Sequence, residues 1–234
     1  MTVTLRDYQQ EALEFAIREF ERLLQIPPDT PRDDIYKFVE DEDGSRHKAP
    51  VFLRGVPLVM ATGTGKTETV LGILQAMRNR GLLALEDRVL MLVHAEHLVR
   101  QPVARIMKSW PDLPVPGIVK AQENNVGSRW VIATRQTLAY GENMARLEQV
   151  LAHGAPALLW IDEAHHAPVG QYLDILERCH AARAADGHQL MVLGTTATPI
   201  RADDEPMRRV FSVQPPRYDI KTAIEEEHLA PINM

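Results

Sequence analysis

The chain is poor in the features that secreted, membrane-spanning or nucleic-acid-coating proteins need. It has one cysteine, Cys179, in 234 residues, so no internal disulfide can form and a reducing cytoplasm is the expected setting. Every apolar run meets a charge within roughly a dozen residues, too soon for a bilayer span of about 20, so no membrane partner is expected. The opening "MTVTLRDYQQ" lacks the basic-then-apolar build of a secretory signal. No internal repeat is visible. A basic excess is missing too: Lys+Arg number 26 against Asp+Glu 32, a net charge of −6. Any surface for nucleic acid must therefore be local, or rely on backbone N–H groups and hydroxyls more than on bulk charge.

What is present is an ordinary globular composition, 45% hydrophobic and 25% charged, long enough to bury a substantial core. Residues 5–24 place Leu13, Ile17, Phe20 and Leu24 at helical spacing. Residues 25–50 lose that pattern, Pro-rich first and acidic later, and read as an exposed excursion with room for a small hairpin. Then come "VPLVM" (56–60), "VLMLV" (89–93), "WVIAT" (130–134), "LLWI" (158–161) and "MVLGT" (191–195), strand-length runs with few polar interruptions. Helical patterns lie between them, notably 66–79 and 171–182. This predicts an α/β fold, a mostly parallel sheet with helices on both faces. Ligands of such sheets sit at the carboxyl ends of the strands.

"ATGTGKT" (61–67) follows a predicted strand and opens a predicted helix, the setting a P-loop requires. Gly63 and Gly65 allow the loop of Thr62, Gly63, Thr64 and Gly65 to turn its N–H groups inward around phosphate. The helix N-terminus adds partial positive charge. Lys66 is placed to reach β- and γ-phosphates and Thr67 to ligate Mg²⁺. The strict pattern wants glycine where Met60 stands, a position that shapes the turn. Later, "LLWIDEAHHAP" (158–168) sets two carboxylates at a strand end. Asp162 suits a metal ligand and Glu163 a group that polarises water. His165 and His166, with His94 and His97, raise a zinc reading. No thiolate accompanies them and their spacing matches no ligand set, so His165 reads better as a sensor of nucleotide state.

With those two motifs placed, the chain resembles the first RecA-like motor domain of superfamily 2 helicases and translocases. The branch is the one that includes type I and type III restriction-enzyme motor subunits and excision-repair helicases. "LRDYQQEA" is similar to the adenine-sensing Q-motif region and implicates Arg6, Tyr8 and Gln9. An amide such as that of Gln9 can pair with the N6 and N7 edge of adenine. "MATGTGKT" resembles the branch's motif I, Met60 included. "VLMLVHAEHLVRQ" resembles motif Ia, where the family often carries proline in place of His94; it implies nucleic-acid contact by His94 and Gln101. "VIATRQTL" resembles the next contacting element, with Thr134 and Gln136. "DEAH" is similar to motif II. "GTTATPIR" resembles motif III, in which Thr196 and Thr198, with His165, couple nucleotide state to movement. The motifs run in family order from residue 5 to 201.

The resemblance divides the chain into a helix with a Q-motif-like segment (1–24), an acidic and Pro-rich insertion (25–50) and a RecA-like ATP-binding core (51–215). A tail (216–234) leads toward a second RecA-like domain. It implies ATP and Mg²⁺ as cofactors and nucleic acid, DNA ahead of RNA, as partner. The second domain, in cis or trans, brings an arginine finger, so the expectation is half a motor, weakly active alone. Two other readings stay open. One is an ATP-responsive interaction module that docks through the acidic stretch from Glu40 to Asp43. The other is a metabolic P-loop kinase, which "DEAH" and "TATP" disfavour. Trp110 and Trp130, without interleaved basic residues, read as core.

Overall fold

The five apolar runs become five neighbouring strands. The computed structural model describes residues 5–41, 44–95, 98–111, 113–141, 144–167, 170–198, 205–218 and 220–226, with the side chains of Glu205, Pro206, Arg217, Ile220 and Lys221 left aside. In chain order the elements begin with α1 (Asp7–Leu23), a hairpin of β1 (Tyr36–Glu40) and β2 (Arg46–Pro50), β3 (Gly55–Met60) and α2 (Lys66–Asn79). Next come β4 (Val89–Val93), α3 (Arg100–Ser109), β5 (Gly117–Lys120), β6 (Glu123–Asn124), β7 (Trp130–Thr134), α4 (Arg135–Leu138) and α5 (Ala145–Ala152). The chain continues through β8 (Leu158–Asp162), a 3-10 turn (Ala164–His166), α6 (Gln171–Ala185), β9 (Met191–Thr196), α7 (Glu205–Val210), β10 (Arg217–Tyr218) and α8 (Ile220–Glu225).

Among the described residues the main sheet has eight strands in the order β10-β3-β9-β8-β4-β7-β5-β6. All pairings are parallel except that of β5 with the short β6. Side-chain alternation sorts the strands into two cores. Val89, Met91, Val93, Leu158, Trp160, Met191 and Leu193 face the layer of α1, α2 and α3. Leu90, Leu92, Leu159, Ile161 and Val192 face the layer of α4–α7. Helices thus cover both faces, as the uninterrupted apolar strands require. The α1 helix buries Ala12, Leu13, Ala16, Ile17, Phe20 and Leu23 on one stripe. Trp110 and Trp130 are buried, packed edge to face with centroids 5.2 Å apart.

The excursion is exposed only in part. Its hairpin pairs Tyr36 with Pro50 through Glu40 with Arg46, and its outer residues are open. Its base is built into the domain, because Arg32, Ile35 and Val51 are buried. Arg32 donates to Asp34 and to the carbonyls of Leu53 and Arg208. Lys37 pairs with Glu177 of α6. Glu40 pairs with Arg46 and Asp41 meets His47, each at 3.1 Å, so these two acids of the docking reading have partners within the hairpin; Glu42 and Asp43 lie outside the described residues. The first part of the 216–234 tail is stitched into the sheet, with Tyr218 beside Met60 on an edge strand.

Candidate nucleotide-binding site

Strands β3, β9, β8, β4 and β7 are consecutive in the sheet and parallel, so the motifs at their carboxyl ends share one edge. The loop after β3 turns through Gly63 at φ 86° and Gly65 at φ 82°, a region costly for residues with a Cβ. A Cβ at Gly65 would lie 2.6 Å from Gln9 Nε2 and would push that amide aside. Thr64 is buried and donates its hydroxyl to the Ala61 carbonyl at 2.7 Å, which fixes the turn, while Thr62 and Gly63 are exposed. Lys66 and Thr67 open α2 directly behind the loop.

Asp162 ends β8 on the face that alternation assigns to the α2 layer. Thr195 of β9 lies on the same face and donates to Asp162 Oδ1 at 3.3 Å while accepting from Trp160 Nε1 at 3.2 Å. Burial and then the charge of Glu163 push the Asp162 carboxyl above its usual range, against the pull of Lys66 and Thr195. Glu163 follows with φ 53°, a left-handed conformation that a β-substituted residue adopts at a cost. The bend turns its carboxylate toward the loop, where Oε1 stands 3.5 Å from Lys66 Nζ, and its Oε2 lies 3.5 Å from His165 Nδ1. Thr196 is buried; its hydroxyl meets His165 Nδ1 at 2.9 Å and accepts from the Thr198 N–H at 3.0 Å. Gly194, two residues earlier, lets β9 pass close by: a Cβ there would come within 2.4 Å of the Phe211 ring and 2.8 Å of Ala164.

Lys66, Asp162, Glu163, His165 and Thr196 therefore come together, with the phosphate-type loop beside them. Gln9 arrives there too, but its amide is engaged within the protein. Its Nε2 donates to Thr64 O at 3.0 Å and its Oε1 accepts from Arg6 N–H at 2.9 Å, so reading adenine would require exchanging those bonds. Arg6 is exposed nearby. Of the positions expected to touch nucleic acid, His94, Gln101 and Gln136 are exposed. Thr134 is not: it is fully buried and caps α4, accepting from the Thr137 N–H at 3.4 Å. Its hydroxyl also meets Thr137 Oγ1 at 2.8 Å, so the side chain is spent on the first turn of α4.

Two partnerships escaped sequence reasoning. Thr195 was legible by counting from Trp160 and Asp162 along neighbouring strands. Tyr8 stacks on Tyr218 with centroids 3.9 Å apart while its hydroxyl donates to Thr64 O at 2.8 Å; a separation of 210 positions (218 − 8) leaves no local trace. The donor set suits a hard cation: a carboxylate and a threonine hydroxyl. Among the described residues no three His, Cys, Asp or Glu side chains gather as a metal cage.

The family profile described as "Type III restriction enzyme, res subunit" matches residues 2–201. A Saccharomyces cerevisiae protein, IRC3, named as an ATP-dependent helicase, is 29% identical over 155 residues, 65% of this chain and 21% of that protein. Two solved structures share the fold. The Sulfolobus solfataricus SWI2/SNF2 ATPase core in complex with dsDNA superposes with a TM-score of 0.55 at 14% identity, covering 89% of this chain and 35% of that one. The Pyrococcus furiosus Hef helicase domain gives a TM-score of 0.56 at 19% identity, covering 78% and 38%. The chain thus spans 21% of the yeast relative's length and 35% and 38% of the two solved chains.

Proposed function

The chain belongs to the family of type III restriction enzyme res subunits and has the RecA-like α/β fold of a first superfamily 2 helicase domain, and on that premise we propose that it is the ATP-binding half of a nucleic-acid-dependent ATPase. Hydrolysis would be coupled to movement along nucleic acid or to its unwinding. The observation that carries this is the convergence of Lys66 and Glu163 at 3.5 Å beside the glycine-turned loop after β3, with Asp162 held by Thr195 on the adjoining strand.

In this reading the backbone N–H groups of residues 62–67 cradle the phosphates and Lys66 neutralises their β and γ oxygens. Phosphate displaces Glu163 as the partner of Lys66, which frees the carboxylate to accept a proton from the attacking water. Thr67 and Asp162 would hold Mg²⁺, which supplies counter-charge to the phosphates and to a carboxylate that burial otherwise disfavours. His165 and Thr196 register the change at Glu163, and Thr198 lies one step further along. Arg6 and Gln9 border the base side of the loop. His94, Gln101 and Gln136 offer exposed contacts to the sugar-phosphate backbone without sequence preference; for Thr134 the same role would fall to its backbone. DNA is the proposed track ahead of RNA. A second RecA-like domain would supply an arginine finger, typically worth on the order of 10³-fold or more in rate, so turnover by this half alone should be slow. The setting is cytoplasmic in this reading.

The test is ATP turnover with and without single- and double-stranded DNA and RNA. Turnover that one nucleic acid raises, and that Glu163→Gln abolishes, supports the proposal. Turnover unchanged in that variant contradicts it. A second reading, an ATP-responsive interaction module, draws on the hairpin, which Lys37 ties to α6 while Tyr36 and Phe38 stay exposed. Removing residues 37–49 would then abolish partner capture and leave nucleotide binding intact.

A further inference from the structure

Two elements expected to face nucleic acid meet the strand of Asp162 and Glu163 at one side chain, His166. His94 directly follows β4, the immediate neighbour of β8, and its imidazole stacks on that of His166 with centroids 4.6 Å apart and planes 15° from parallel. His166 then contacts His165, 4.0 Å between centroids at a tilt of 43°. His165 in turn lies 2.9 Å from Thr196 Oγ1 and 3.5 Å from Glu163 Oε2. Arg135, at the start of α4, acts on His166 through its charge and is itself fixed, donating to Gln171 at 3.1 Å with its guanidinium 5.4 Å from the Tyr172 ring. Burial, then the flanking His165 and His94, hold His166 below the usual imidazole range. His94 is exposed, as a residue must be if something outside the fold is to push on it.

We propose that His94 is a positioning residue for Glu163: through its stack on His166, occupancy of the exposed edge at the ends of β4 and β7 is relayed to His165, and thence to Glu163 and Thr196. The inference rests on the nucleotide reading above and adds the route by which the two kinds of ligand sense each other. The route consists of side chains alone, on adjacent strand ends. An aromatic contact of this kind biases a two-state equilibrium by about twofold to tenfold, enough to tune the angle of a carboxylate already bent into a costly conformation.

Because coupling is reciprocal, the relay can be read from the nucleotide side without turnover. The experiment is imidazole and amide NMR of the full chain at saturating Mg²⁺ and a non-hydrolysable β,γ-imido ATP analogue, so that differences in affinity do not enter. The His94 imidazole is expected to shift on nucleotide addition, and His166→Ala to cut that shift at least about threefold. At the other end, the nucleotide-induced shift of His165 should be altered in His94→Ala and restored in His94→Phe, which keeps an aromatic ring in the stack. A His94 response equal in wild type and His166→Ala would overturn the relay, as would a silent His94 while the Gly63 and Gly65 amides shift. If those loop amides do not move either, the nucleotide reading itself has failed, and the relay falls with it.

Discussion

The two ends of β3 treat polar groups in opposite ways. At its amino end, two arginines are saturated. Arg32 holds Asp34 with two bonds of 2.6 and 2.9 Å and donates to two carbonyls; Arg54 reaches the carbonyls of Thr30, Pro31 and Phe52. At its carboxyl end, contacts are long and backbone is strained. Lys66 and Glu163 stand 3.5 Å apart, Glu163 has φ 53°, and Asp162 is half-buried with one long bond from Thr195. Under-bonded, pre-bent groups are poised to gain partners, whereas saturated groups have none to gain. The first end is architecture and the second is chemistry.

That contrast breaks first at Glu163. Glu163→Gln should reduce ATP turnover by roughly 10²- to 10⁴-fold, the usual worth of a general base, while thermal unfolding shows the fold intact. Equal turnover would remove Glu163 from the chemistry. At the other end, Arg32→Ala leaves buried carbonyls without donors and should lower stability by about 2–3 kcal/mol in urea unfolding, with nucleotide affinity preserved below the transition. Loss of affinity in the folded variant would show that the two ends are not separate.

A smaller effect sharpens the architectural end. His180, buried against Phe52, is held below the ordinary imidazole value of 6.5 by burial and then by Arg54. Below that value the unfolded chain takes up a proton that the folded one resists, so stability falls as pH drops through it. His180→Phe should flatten the decline of melting temperature between about pH 7 and 5.5; an unchanged slope would exclude His180 as a contributor. Smallest is the response of Cys179, fully buried with its thiol pushed up to about 12. Iodoacetamide should leave it unmodified in the folded protein and label it in urea, as mass spectrometry would read.

The difference between the ends also explains what the sequence could tell. The phosphate-type loop and the β8 carboxylates are local patterns, set by a strand end and the turn after it, so "ATGTGKT" and "LLWIDEAHH" carried them in one dimension. The five central strands were equally open to reading, because burial on both faces leaves an uninterrupted apolar run. The excursion was not, since its order depends on Arg32 meeting Arg208 across 176 positions and Lys37 meeting Glu177 across 140. The same limit hid the Tyr8–Tyr218 stack and the meeting of His94 with His166. Thr134 is a different case: its hydroxyl is taken up by Thr137 at the start of α4, and motif order alone pointed it outward.

The most direct test of the account is calorimetric titration of the chain with Mg²⁺ and ATP analogue, wild type beside Lys66→Ala. Loss of a charged bond to phosphate, about 1.5–3 kcal/mol, predicts affinity weaker by about tenfold to a hundredfold. Equal affinity in both proteins would mean that the loop after β3 does not hold the nucleotide.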